Sequence, residues 1–551
     1  MFRQALAVSL LLLLAPPSGR AQAPDGGPPS RAVQPPGPEA PRGEEPSHDR
    51  SEDQLFVDPE SGESYRVAPV ELVRGQYRFM DEARTRIRLK FGVEARVERV
   101  EGDTVWIRVY ESRKKKAPAT VAVPPTVQDV VPPTTEGRLA WDPIDEGLPK
   151  EGLWREGMAF GDFDGDGGDE LVVPPPRKAR SYDASPRIYR RHGDRWSAWG
   201  EASFPEQTYD YGDVAVLDYD RDGINDIALA MHLTGVQLMR GRGGGVFERV
   251  DGFPSGGTLH ARSVVALEHG AGPLLLAFGE GMAGASPLRV ETPTDGVVNR
   301  GLHGWGFVEG RFERIDGEGT EIRMGFGDDF AVGDPTGRGQ HWLALGSLRL
   351  RAREVLVRLV EDEAGRRFEP SVLPLLQSSA YLGAVSFLDA DGDGRDELYY
   401  GSQTTRKGTK RTHLDRYRMD PGEEDWSGEA IVSIPSGDGI WSLAGGDLNG
   451  DGFDDVVAGT GGGEIWVFLA DAQGALRRDL SLGLPEPSVA CAVRDLVVRK
   501  GANGAPEVFA LFSGEPVSDP TGLATRGTGC ENGGRIAAWK VREGPSSSPT
   551  N

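Results

Sequence analysis

The sequence predicts an all-β protein built from repeated four-stranded sheets, on three observations. Glycine is abundant, 76 of 551 residues beside 40 prolines, a composition of many turns and short strands rather than long helices. An aspartate-rich turn recurs roughly every 58 residues through most of the chain, and such a period marks a repeat architecture. Each copy stands between two short runs of apolar, often β-branched or aromatic residues, which read as the two arms of a hairpin.

Along the chain, residues 1–23 (MFRQALAVSLLLLLAPPSGRAQA) carry a basic start at Arg3, an apolar run from Ala5 to Leu14 and a small-residue exit at Ala21-Gln22-Ala23. A secretory signal peptide is expected there. A membrane anchor fits less well, because the run is about half of the ~20 residues that span a bilayer. Residues 24–54 are rich in proline and glycine and hold few large apolar groups, so a disordered tether is expected. From 55 to 113 apolar and polar residues alternate around Gly and Asp turns, which reads as a small β module. The stretch LVRGQYRFMDEARTRIRLK within it is also compatible with one short helix. Residues 114–137 form a second linker, rich in proline and threonine, and residues 545–551 a disordered tail.

The repeats occupy 138–544. The first acid of each turn, or its degenerate counterpart, falls at Asp162, Asp218, Glu268, Asp334, Asp389, Asp447 and Asp495. Around each, one short strand (MAFGD, VAVLD, VSFLD) meets the turn and a second follows (ELVV, DIALA, ELYYG). A third comes next (GVQLMR, EVLVRL, EIWVFL), then an outer one (GVFERV, GRFERI, RRFEPS). Four antiparallel strands are the unit of a propeller blade. The expected fold is therefore a seven-bladed β-propeller, since one blade cannot bury both its faces alone. The seventh unit ends at RIAAWKVREG without an outer strand. Arg138 to Pro149 (RLAWDPIDEGLP) resembles the outer strands, so this segment is expected to pair with the last blade and close the ring. An open solenoid is the alternative.

Four turns carry a full acidic pattern: DFDGDGGDE, DYDRDGIND, DADGDGRDE and DLNGDGFDD. Positions 1, 3, 5 and 9 bear oxygen and position 6 is glycine throughout. Such density of like charge demands a cation. Calcium takes six to eight hard oxygen ligands, and a glycine lets the chain turn round it. The expected donors are Asp162, Asp164, Asp166, Gly168 and Glu170; Asp218, Asp220, Asp222, Ile224 and Asp226; Asp389, Asp391, Asp393, Arg395 and Glu397; and Asp447, Asn449, Asp451, Phe453 and Asp455. Position 7 (Gly168, Ile224, Arg395, Phe453) contributes a backbone carbonyl. Magnesium rarely sits in an all-protein cage, and zinc would need Cys or His. An EF-hand requires an acid at position 12 between helices. Here position 12 is Val173, Leu229, Tyr400 or Ala458, and the flanks are strands.

These turns resemble the FG-GAP and VCBS repeats of propellers like the N-terminal region of integrin α-subunits. The resemblance implies about four calcium ions, each between the first two strands of a blade at one end of the propeller. The pattern lapses at Glu268, Asp334 and Asp495, where no ion is expected.

For function, the net charge of −23 argues against nucleic acid, whose phosphates need a basic face. No catalytic signature occurs: there is no HExxH, G-x-S-x-G or phosphate loop, and no CxxC. Cys491 and Cys530 are expected to form one disulfide in an exported chain, two free thiols being the alternative. Loops at the end opposite the acidic turns hold basic groups: Arg177, Lys178, Arg180, Arg406, Lys407, Lys410 and Arg411. They suit an anionic glycan or an acidic partner; the plainer reading is solvated loops. The expected protein is exported to the periplasm, cell surface or medium. It is a monomeric, calcium-stabilised, non-enzymatic binding or adhesion scaffold for a protein or glycan, with no transmembrane segment. A propeller-based polysaccharide lyase or glycoside hydrolase is the alternative.

Overall fold

A computed structural model describes six strands between residues 56 and 110 and most of residues 129–544, with long stretches such as 280–300, 316–328 and 514–533 left out. The chain divides into two units, Met1–Pro124 and Pro125–Asn551. In the first, one sheet takes its six strands in the spatial order first, second, sixth, fifth, fourth, third. The stretch compatible with a helix supplies two of them, Tyr77–Met80 and Arg86–Leu89.

In the second unit five sheets have four strands each and one has eight. The four-stranded sheets span 159–198, 212–249, 261–314, 329–371 and 381–435. The eight-stranded sheet is two such units, 440–482 and 493–543, joined by the strand Thr134–Pro143. All pairings within a unit are antiparallel, and strands follow one another in chain order from one edge of the sheet to the other.

The second strand of each unit is buried along most or all of its length, and end to end in Asp226–Met231, Trp342–Gly346 and Asp455–Thr460. Alternate residues of a strand point to opposite faces. A strand apolar at every position must therefore have a neighbour on both sides. In the first blade Val172 packs against Ile227 and Leu229 of the second, while Leu171 and Val173 pack against Phe509 and Leu511 of the seventh. Clusters of this kind join the second blade to the third, third to fourth, fourth to fifth, fifth to sixth and sixth to seventh. The succession returns to its start, so the ring is closed. Trp305, Trp342, Trp466 and Trp539 lie inside these clusters and act as packing groups.

First strands are tied across blades by side chains. Asp213 accepts from the Val264 N–H (2.9 Å), Asp329 from the Val385 N–H (3.0 Å) and Asp495 from the Met158 N–H (2.9 Å). Asp495 thus lies inside the strand Val493–Lys500 rather than opening the seventh turn. That turn is the tighter one between Lys500 and Pro506, where Gly501 N–H donates to Ala505 O at 2.8 Å. The repeated acid was misaligned because this one serves the neighbouring blade.

Closure follows the expected pairing and adds a second. Thr134–Pro143 runs antiparallel to Arg535–Glu543, with Val541 opposite Trp141. Its earlier half also runs parallel to Arg477–Leu482, with Arg478 opposite Thr134. The stretch read as linker up to 137 therefore contributes to the propeller from Val130 onward, where Val130 pairs with Ser433 of the fifth blade. Buried Asp479 holds the junction, accepting from the Arg138 N–H (3.0 Å), the Leu139 N–H (3.2 Å), Thr135 Oγ1 (3.0 Å) and Ser481 Oγ (2.8 Å). Losing an acceptor strands a buried donor at about 1–3 kcal/mol each. Asp479→Ala is expected to cost about 3 kcal/mol, read as a lowered midpoint in urea unfolding, whereas Leu480→Ala on the exposed face beside it leaves the midpoint in place.

Candidate metal centre

The four acidic turns share one backbone scaffold. The acid at position 1 takes the N–H of the glycine at position 6: Asp162 from Gly167 (2.9 Å), Asp218 from Gly223 (2.9 Å), Asp389 from Gly394 (2.9 Å) and Asp447 from Gly452 (3.0 Å). Position 5 accepts from the N–H of position 7 at 2.8, 3.0, 2.9 and 3.1 Å in Asp166, Asp222, Asp393 and Asp451. Position 9 starts the buried second strand and accepts from the N–H of position 2. These pairs are Glu170 with Phe163 (3.0 Å), Asp226 with Tyr219 (2.9 Å), Glu397 with Ala390 (2.9 Å) and Asp455 with Leu448 (3.0 Å).

Glycine at position 6 has φ between +80° and +89° in all four turns, where a side chain costs about 1–2 kcal/mol. Position 4 is also left-handed. It is Gly165, Gly392 and Gly450 in three turns, and in the second it is Arg221 at φ +58°. Asp334 repeats the turn: its carboxylate takes the N–H groups of Thr336 and Gly339, with no acid at positions 3 and 5. Hairpin shape therefore needs only the acid at position 1 and the glycine at position 6, and the acids at positions 3 and 5 add charge to a turn that forms without them.

Three turns gather carboxylate oxygens within 4.8 Å of one another: Asp162, Asp164 and Glu170; Asp218, Asp220 and Asp226; and Asp389, Asp391 and Asp393. Oxygens bound to one calcium at about 2.3–2.6 Å lie no more than about 5 Å apart, so these sets fit. The Oδ1 of Asp220 is also enclosed and without a hydrogen-bond partner. In the turn at Asp447 no such trio of acids forms among the described residues. Position 3 there is Asn449, whose amide donates to Asp451 (2.9 Å).

Burial dominates the electrostatics of position 9. It pushes Glu170, Asp226 and Asp455 each up to about 7, against the pull of their N–H donors. Glu397 is raised for the same reason, although Arg418 beside it pulls the other way. Residues one place earlier grip the preceding blade: Asn225 accepts from the Asp162 N–H (2.8 Å), Asp396 from Asp334 (2.6 Å) and Asp454 from Asp389 (3.2 Å). Spacing alone did not single these out, because their role is visible only across two repeats.

The basic groups expected at the other end are placed only in part. Arg177, Lys178, Arg180 and Lys407 lie outside the described residues, as do Cys491, Cys530 and the side chain of Arg406. Gly401 to Arg418, read as a loop, is instead mostly two long strands, Glu397–Arg406 and Thr409–Asp420. Their threonines, Thr404, Thr405, Thr409 and Thr412, favour strand. Lys410 is half-buried. Arg411 is engaged within the propeller, paired with Asp129 (2.7 Å) and donating to Ser433 O (2.8 Å), so it is a staple for the incoming chain.

Repeated hairpins of this form in a ring of four-stranded sheets define a β-propeller with acidic turns able to hold metal. The comparisons are more particular. The sequence model of the FG-GAP-like repeat matches residues 162–229 and 389–458, two stretches that contain all four full turns. No curated protein matches the sequence. Among solved structures, one described as the crystal structure of BBS1N in complex with ARL6DN, soaked with lead, is similar at 10% identity. The likeness covers 75% of this chain and 99% of that one, with a TM-score of 0.40.

Two outcomes test the turns. Gly452→Ala meets no atom within 4 Å, so its cost is conformational alone. A loss of about 1–2 kcal/mol is expected in chelator, while Arg221→Gly, which relieves the only non-glycine left-handed residue described, is neutral or stabilising; both are read by melting. The second outcome concerns pH. An acid whose folded pKa is raised stabilises the fold while protonated, and that contribution is lost as pH rises from about 4 towards 7. In excess chelator the melting point should therefore fall over this interval, and the gain from added calcium should grow, because metal must displace those protons.

Proposed function

We propose that the protein is an exported, calcium-stabilised β-propeller that serves as a binding scaffold for a protein or glycan and is not an enzyme. The observation that supports this most is the recurrence, in three blades, of gathered carboxylates on an identical hairpin. Their donors are all oxygen, which suits calcium in preference to softer metals. The two FG-GAP-like matches agree with it. Asp162, Asp164 and Glu170 in the first blade, Asp218, Asp220 and Asp226 in the second, and Asp389, Asp391 and Asp393 in the fifth would hold the ions. The sixth blade would do so with Asn449 in place of an acid. A bound ion would supply positive charge to turns that otherwise repel themselves, and a ligand that binds only the native state stabilises it by an amount that grows with the logarithm of its concentration above Kd.

The partner surface would lie at the end opposite the acidic turns, the end to which antiparallel pairing carries the connection from second to third strand. Among the described residues no helix is long and apolar enough to cross a membrane, and export rests on the N-terminal segment. Metal analysis of the purified protein and melting with and without EGTA test the calcium half. Bound calcium and a fall in melting temperature on chelation are expected, and an unmoved curve with no metal would overturn it. Incubation with plant and bacterial polysaccharides tests the rest. Recovery of intact polymer is expected, and new unsaturated or reducing ends would make the protein an enzyme.

A further inference from the structure

In the four acidic turns, position 10 pairs with a residue of the third strand: Leu171 with Tyr189, Ile227 with Met239, Leu398 with Tyr417, and Val456 with Phe468. The next residue along that third strand is Arg190, Arg240, Arg418 and Leu469 respectively. Each of the three arginines reaches the acid at position 3. Arg190 pairs with Asp164, Arg240 with Asp220 at 2.6 Å, and Arg418 with Asp391 at 3.6 Å. Arg240 also bonds Asp222 at 2.7 Å. Where the arginine is replaced by Leu469, position 3 is Asn449 rather than an acid.

The fourth blade supplies the converse. There Leu343 at position 10 pairs with Val357, and the residue after it is again an arginine, Arg358. Position 3 is Thr336, and Arg358 bonds Glu369 of the outer strand at 2.8 Å instead. In all three blades where the arginine reaches the hairpin, position 3 is an acid.

Resting on the calcium reading, we infer that Arg190, Arg240 and Arg418 are built-in counter-charges. Each is matched to the extra carboxylate at position 3, and together they set how tightly the turn holds its ion and how far it assembles without one. Counted over positions 1, 3, 5 and 9 together with the third-strand arginine, the turns at Asp162, Asp218 and Asp447 each carry −3; Asp169, Arg221 and Asp454 lie outside that count. In the turn at Asp389 a second arginine, Arg395, also bonds Asp393. The three turns with an arginine are the three whose carboxylates stand gathered. A fixed guanidinium at position 3 does part of an ion's work in holding like charges together. It also opposes an incoming divalent cation, so it lowers affinity while it pre-forms the site.

Arg240 is the cleanest test, because Arg190 also stacks on Trp199 and Arg418 also bonds Glu397. In full-length protein with excess EGTA, Arg240→Leu is expected to lower the melting temperature, Arg240→Lys to lower it less, and Asp220→Asn added to Arg240→Leu to restore it. In saturating calcium the loss should vanish, and calorimetric calcium titration of Arg240→Leu should show one site tighter by about tenfold. An equal loss in EGTA and in calcium, with no rescue by Asp220→Asn and no change in affinity, would reduce Arg240 to a packing residue and overturn the inference. If the wild type takes up no calcium, the calcium reading itself falls. The EGTA cycle then decides the pairing alone: rescue keeps it and no rescue removes it.

Discussion

The governing constraint is the two-sided burial of every second strand. Asp226–Met231 and Asp455–Thr460 have no exposed face at all. A sheet made round such a strand is unstable until another sheet covers each side. One added neighbour answers the need on one face and creates it again on the next. Only a ring ends the series, and Phe509 and Leu511 of the last blade meeting Leu171 and Val173 of the first are where it ends. The outer strands, such as Arg195–Ala198 and Phe247–Arg249, are short and mostly exposed, each giving the core a single aromatic, Trp196 and Phe247.

Much of this was legible because it is periodic. The apolar second strands, the acidic turns and the glycine at position 6 recur with a fixed order, and the unpaired seventh unit pointed to Arg138–Pro149 as its missing edge. What escaped is non-periodic or non-local. Asp495 has the look of a first acid but bonds Met158 in the adjacent blade. Residues 134–137 read as linker because Thr-Thr-Glu-Gly carries no large apolar group, yet they are held by backbone pairing to Arg477–Leu482, which composition does not record. The Gly401 to Arg418 stretch was taken for a loop on its basic residues, whereas its threonines already favoured strand.

The hairpins divide labour between backbone and side chain. Position 1 and the glycines fold the turn whether or not acids follow, as Asp334 shows. Positions 3 and 5 then add charge to a shape that already exists, and position 9 is drawn into the core. That last step is electrostatically expensive, which is why each of these acids has at least one N–H aimed at it. The acids of the turns were legible from spacing. The arginines that face three of them were not, since they lie a whole strand further on and only the ladder register brings them opposite.

The strand Thr134–Pro143 carries a consequence for the order in which the molecule is made. Both of its partners lie far along the chain: Thr135 bonds Asp479, and Asp142 meets Arg542. During synthesis this segment emerges early and has nothing to pair with until the last two blades exist. Until then the array can only be an open arc with unpaired sheet edges at its ends, and exposed edges of that kind are prone to aggregate. Local hairpins can form quickly within each blade, but the final stitch is among the most distant contacts in the molecule, and its entropy of closure makes completion of the circle the slow event.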